Sequence, residues 1–244
     1  TLSELEAVCD TLVENGITPF ALANGPKWTG SMYYQCLVAR YAGLEPFQAA
    51  VDGSGSFEDE CFRWAGEKIQ EWVQKGYFPE GVNSLDEDAG QAKQLIYQES
   101  AAMMLTGSWY TGTFSTDSPE FYEKMDWFSF PAVDGSDADT SIQIGTIGDQ
   151  FVSFNCEGEK LDAAFECASY YASDEAQQVM VENGKIPPTK DAESLVTDPI
   201  SKKVLEAANN ASSTQLWWDQ YLAPEVAQVH LDTCLLYTSD AADD

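Results

Sequence analysis

An α/β fold is predicted for this chain of 244 residues by three observations. Segments with apolar residues at three- and four-residue spacing alternate with short apolar or period-two stretches, the pattern of helices interleaved with strands. Hydrophobic residues make up 44% of the chain and charged residues 22%, which supplies enough apolar surface for packed cores and rules out a disordered composition. No internal repeat is visible, and the length suits one large or two ordinary domains.

Leu2, Leu5, Val8, Cys9 and Leu12 share one helical face and Asn15-Gly16 ends it, so a helix is expected over 2–14. ITPFAL at 17–22 reads as a short buried strand. ANGPK after it reads as a turn, with Pro26 able to start a helix over about 27–41. A strong helix is expected over 57–74, where Phe57, Cys61, Trp64, Ala65, Ile69, Trp72 and Val73 lie on or near one face and Gly76 stops it. A third covers about 86–97, with acids in its first turn where the helix dipole favours them. AAMML at 101–105 is an apolar strand ending at Gly107, and MDWFSFP at 125–131 alternates as another strand would. The Asp-, Gly-, Ser- and Thr-rich stretch 132–151 reads as a loop leading into a strand at 149–155. Helices are expected over about 161–172, 174–183 and 199–211, followed by STQLWWDQYLAPEV.

Acidic residues outnumber basic ones 41 to 12, a formal charge of −29 that repels nucleic-acid phosphates and anionic lipid surfaces. Neutral and cationic small ligands fit that charge. No apolar run approaches the roughly 18 residues that a membrane-spanning helix needs.

Residues 234–244, CLLYTSDAADD, resemble the translation of a transposon-end sequencing adapter, so they are expected to be foreign to the protein and to pack against nothing. Leaving out Asp240, Asp243 and Asp244 keeps the chain strongly acidic. Leaving out Cys234 leaves Cys9, Cys36, Cys61, Cys156 and Cys167, an odd set without a C-x-x-C pair. That set argues against a zinc site and a complete disulfide framework, and the thiols are expected to be free.

Four stretches in this order resemble the extracellular solute-binding proteins of ABC sugar importers, family 1, the maltodextrin-binding type. They are GITPFALANGPKW (16–28), IYQESAAMMLTGSWYTGTF (96–114), FPAVDG to IGDQFVSFN (130–155), and AAFECASYYASDEAQQVMVENGKIPPTKDA (163–192). The resemblance implies a two-lobed, periplasmic-binding-protein-like fold of type II, here incomplete, with most of the N-terminal lobe missing. It implies that residues 1–140 form the first part of the C-terminal lobe, that 141–148 (SIQIGTIG) are a hinge crossing, and that 149–192 return to the N-terminal lobe. Residues 193–233 then complete the C-terminal lobe, with 234–244 as the non-native tail. The implied protein is a metagenomic fragment of an extracytoplasmic monomer, lipid-anchored or periplasmic. Its partners are a sugar or oligosaccharide and the ABC transporter permease subunits. Neither a cofactor, a metal nor nucleic acid is expected.

A sugar presents flat apolar C–H faces with polar rims, so its pocket needs aromatic platforms and a few fixed hydrogen-bonding groups. Trp109 follows Gly107-Ser108 at the end of an apolar strand, where the family places a stacking aromatic; Gly107 lets the backbone come close to a ligand. Read from the residues alone, Trp109 serves equally well as a core residue. Trp28 occupies a strand-to-helix turn where the family also carries an aromatic. Of Trp217 and Trp218, one is expected at the ligand and the other in the core. Ser108, Gln143 and Asp149 are the polar candidates, the last two on either side of the hinge. Trp64, Trp72 and Trp127 are assigned to the core by their periodicity.

No G-x-S-x-G, H-E-x-x-H or G-x-x-x-x-G-K-[ST] motif is present and His230 is the single histidine, so the chain is read as a binder and not an enzyme. Two alternatives remain open on the residues. One is a glycoside hydrolase with a Trp- and Asp-lined cleft, which needs only two carboxylates. The other is a binder of a cationic small molecule such as a polyamine.

Overall fold

A computed structural model describes residues 1–145, 154–187 and 190–239. It divides the chain into two compact units. The first comprises 1–106, 129–145 and 212–244, and the second 107–128 and 146–211.

The first unit opens with α1 (Leu2–Glu14), whose Thr1 hydroxyl and Glu4 carboxylate form the reciprocal cap of a helix start. Its buried face, Leu2, Leu5 and Cys9, belongs to the main core. The chain then enters β1 (Thr18–Phe20). β1 pairs in parallel with β2 (Ala101–Met103), Thr18 opposite Ala101 and Phe20 opposite Met103. Between these strands lie α2 (Trp28–Ala42), α3 (Glu45–Asp52), α4 (Glu60–Gln74) and α5 (Gln91–Tyr97). Parallel strands need such a crossover, so the α/β class follows from the connection itself. α2 is buried from Thr29 to Arg40, whereas α4 is amphipathic and buries Cys61, Phe62, Ala65, Ile69 and Trp72.

Trp72 has no exposed surface and sits among Phe20, Tyr33, Tyr77 and Phe78, with ring centroids 5.5–6.5 Å away. Its indole N–H donates to Glu6 Oε1 at 2.8 Å, so the one polar atom of a large buried side chain is satisfied. Trp64 packs at the margin of this core, stacked on Tyr41 at 4.5 Å. Trp127 is only partly buried, in the other unit.

Buried Arg40 holds the segment 129–145 onto α2. Its Nε donates to the Phe130 carbonyl and its Nη1 to the Ile142 carbonyl, each at 3.0 Å. The segment ends in β3 (Gln143–Ile144), which pairs in parallel with β4 (Thr214–Gln215). α11 (Trp218–Tyr221) and α12 (Pro224–Thr238) close the unit.

Three expectations are corrected here. The alternating stretch 125–131 is not a strand: Met125 to Pro131 is irregular, because a period-two pattern without a partner edge gives the backbone nothing to pair with. Pro26 does not begin α2; Lys27 intervenes with φ of 71° and the helix starts at Trp28. Residues 234–238 are not without packing. They continue α12, bury Cys234 and Thr238, and stack Tyr237 on Tyr34 with centroids 5.5 Å apart. The strand expected over 149–155 lies mainly outside the described residues, and Phe154 and Asn155 are irregular.

The second unit contains α6 (Trp109–Asp117), α7 (Pro119–Tyr122), α8 (Glu159–Tyr170), α9 (Asp174–Glu182) and α10 (Pro199–Asn209). Ser173 caps α9, and Asp198 caps α10 by accepting from Ser201 N at 2.7 Å, with Pro199 in the first turn. α6 meets the end of α9 at two glycines. A Cβ on Gly112 would lie 2.1 Å from the Asn183 carbonyl oxygen, and Gly184 has φ of 71°.

Candidate functional site

Four of the expected residues, Trp28, Gln143, Trp217 and Trp218, belong to the first unit. Trp28 is the first residue of α2 and is partly buried. The turn before it is fixed by Asn24, which is fully buried. Asn24 Oδ1 accepts from Gly30 N at 2.8 Å, and its Nδ2 donates to Asn83 Oδ1 and Thr238 Oγ1 at 2.9 Å each. Gly30 is required there, since a Cβ would come within 2.5 Å of Asn24 Oδ1. Trp28 N donates to the Pro26 carbonyl at 2.9 Å across Lys27, a three-residue turn with positive φ that is strained for a non-glycine residue. Lys27 Nζ pairs with Asp232 on α12.

Gln143 stands opposite Thr214 in the β3–β4 pair, and Gly145 N donates to the Gln215 carbonyl at 2.9 Å. That pairing brings the Gln143 strand alongside the segment that leads into Trp217 and Trp218. Trp218 lies face to face with Phe47 at 4.3 Å and is the core member of the pair. Trp217, which precedes α11, is buried as well, with 9% of its surface exposed.

In the second unit Gly107, Ser108 and Trp109 stand at the start of α6. Trp109 is not in a turn after a strand but at the first helical position, and it is 43% exposed, which removes the core reading. Ser108 precedes the helix and its carbonyl accepts from Thr111 N at 3.2 Å, while its hydroxyl caps nothing. Gly107 has a role different from the expected one. Its φ is not positive, and a Cβ there would lie 1.9 Å from Cζ3 of Trp109. The space beside Gly107 is therefore taken by the indole itself, whose ring lies against the glycine. Asp149 lies outside the described residues.

The sequence reading passed over Gln35, Ser31 and the use of His230. Gln35 Oε1 accepts from the backbone N–H of Trp218 at 3.0 Å, and Gln35 Nε2 donates to Ser31 Oγ at 2.6 Å. Ser31 Oγ lies 2.6 Å from His230 Nε2. The signal for Gln35 was present: Ser31 and Gln35 are polar residues four apart in a helix whose neighbouring positions are apolar. Among the described residues, no group of three His, Cys, Asp or Glu side chains is placed to hold a metal ion. No described helix is long and apolar enough to cross a membrane.

A family profile described as bacterial extracellular solute-binding protein matches residues 1–178. The chain belongs to this family. A curated relative, an uncharacterized ABC transporter extracellular-binding protein of Pyrococcus horikoshii, is 27% identical over 214 residues, covering 87% of this chain and 45% of the relative. A solved structure from work on xylan utilization by the thermophilic bacterium Caldanaerobius polysaccharolyticus superposes with a TM-score of 0.83 at 27% identity. It covers 98% of this chain and 61% of its own. A chitin oligosaccharide binding protein superposes with a TM-score of 0.80 at 22% identity, covering 98% of this chain and 61% of that one. The solute-binding protein thus has the two-lobed α/β fold of its family, and this chain spans about half to three-fifths of the length of the relatives it matches. The family is extracellular.

Proposed function

We propose that the protein binds a sugar or oligosaccharide outside the cytoplasm and delivers it, by closure of its lobes, to the permease subunits of an ABC importer. The observation that carries this reading is Trp109: a large aromatic ring left 43% exposed at a helix start and seated on a glycine, as a platform for a sugar face requires. Family membership supports the binding role, and the fold shared with a chitin oligosaccharide binding protein supports the ligand class. In this reading Gly107, Ser108 and Trp109 of the second unit, Trp28, Gln143 and Trp217 of the first, and Asp149 are ligand contacts, with Trp218 in the core. The protein acts as a monomer without cofactor or metal, held at the membrane by a lipid anchor or free in the periplasm. Ligand contacts made only in the closed state shift the population toward closure, and the permease reads that state.

Calorimetric titration of a two-lobed protein carrying this chain against a panel of xylo- and chito-oligosaccharides and against polyamines tests the proposal. Saturable binding of an oligosaccharide that is recovered intact is the expected result. Release of new reducing ends over hours points to a hydrolase, and binding of polyamines alone points to a cation receptor.

A further inference from the structure

The hydrogen bonds that run from the Trp217–Trp218 segment toward α12 have a fixed direction as far as Ser31. A backbone N–H can only donate, so the Gln35 atom that meets Trp218 N is its oxygen, and the Gln35 amide nitrogen is the atom that faces Ser31. That nitrogen donates. Ser31 Oγ accepts from it and keeps one proton and a second lone pair, with His230 Nε2 at 2.6 Å. Given to Nε2, the Ser31 proton pairs with a neutral imidazole that carries its own proton on Nδ1.

We propose that Gln35 is a positioning residue of the ligand site: oriented by Ser31 and by neutral His230, it fixes the Trp218 backbone and with it the placement of Trp217. The proposal rests on the reading of Trp217 as a ligand contact. A proton added to His230 turns Nε2 into a donor. Ser31 Oγ then receives two donors, and its own proton has no acceptor in the relay. Turning the Gln35 amide over would restore that pairing but would set its nitrogen against the Trp218 N–H, donor against donor. Protonation therefore changes the relay that orients the Gln35 amide, and the Trp218 N–H that this amide holds reports the change.

The surroundings favour the neutral ring. His230 lies 5.2 Å from the Trp218 ring and 5.8 Å from that of Tyr34. Of the titratable groups in this region, Tyr34 from α2 faces the ring; Cys61 from α4 and Cys234 and Tyr237 from α12 lie about Tyr34, Asp219 from α11 lies near Cys234, and Lys27 pairs with Asp232. Burial lowers His230 from 6.5 to about 4. Gln35 and Ser31 are each 1% exposed, so water does not replace a lost partner within the relay.

The single histidine makes the test direct. A nitrogen-15 correlation spectrum of this chain at neutral pH is expected to show the imidazole protonated at Nδ1 and bare at Nε2. As pH falls, the backbone amide of Trp218 and the indole N–H of Trp217 are expected to shift with the same midpoint as His230, well below 6.5. In Gln35→Met those two signals are expected to lose that shift while the rest of the spectrum stays folded, and Ser31→Ala is the second variant should Gln35→Met unfold. An Nε2–H tautomer in the unaltered chain, or Trp signals that ignore the His230 titration, would overturn the proposal. Sugar is not a component of the measurement, so failure of the sugar-binding reading leaves its outcome intact.

Discussion

Gly107 and Trp109 act as one feature, because the indole occupies the space that any side chain at 107 would need. The indole is 43% exposed and lies at the surface of its unit, so Gly107→Ala is expected to lower stability by less than about 1 kcal/mol, in the range of surface changes. It should nonetheless displace the ring. In a Trp109→Ala background the same glycine substitution is expected to have no further effect on ligand binding, since two residues in contact are not independent. Calorimetry on the four species of that cycle checks both parts. Trp72→Ala is the stability control, with an expected cost of about 3–5 kcal/mol for emptying a fully buried aromatic site. The sequence made the two tryptophans look alike on residue type; what separates them is that Trp72 falls on the apolar stripe of α4, whereas α6, WYTGTFSTD, has no stripe to assign a side to Trp109. The close approach at Gly107 was not legible at all, because it depends on a rotamer and not on spacing.

Helices with a clear apolar face were legible from spacing alone: α1, α4, α9 and α10 begin and end within a few residues of expectation. α12 was not, because its last residues were read as foreign to the fold. Its packing gives the contrary prediction. Deleting 234–244 removes buried Cys234, the Tyr237 ring stacked on Tyr34, and the Thr238 hydroxyl that accepts from Asn24. We expect a loss of about 2 kcal/mol or more, the value of one fully buried large side chain, read as a lower melting temperature. Unchanged melting would show that the end of α12 adds nothing. α12 also sets an acid limit. His230 is lowered to about 4 when folded and titrates near 6.5 when unfolded, so the unfolded chain takes up the proton first. Its contribution is fully present above pH 6.5 and is lost as pH falls toward 4, on the order of 3 kcal/mol in all. Denaturant titrations across that window should show the decline, and His230→Gln should flatten it.

At the scale of the molecule, a charge of −29 makes the folded state work against its own repulsion. Added sodium chloride screens that repulsion, so the melting temperature is expected to rise with ionic strength up to physiological values. In the second unit α8 buries none of its described residues and exposes Leu161, Phe165 and Tyr170, an apolar face on a chain that spans 61% of its structural relatives. This chain by itself is expected to self-associate once salt weakens the repulsion, which sedimentation at increasing salt will show. The family was legible from the order of four motifs. The pairing of Gln143 with Thr214 was not, because strands of two residues carry no periodicity.

The central claim is that Trp109 is a platform for a sugar. Its most direct test is the affinity of a two-lobed protein carrying this chain for its oligosaccharide, measured by calorimetric titration with and without Trp109→Ala. The loss expected on removing an aromatic contact at a binding hot spot is about 2 kcal/mol or more, roughly thirtyfold in Kd, with the melting temperature of the free protein nearly unchanged. Equal affinity in the two proteins would contradict the account.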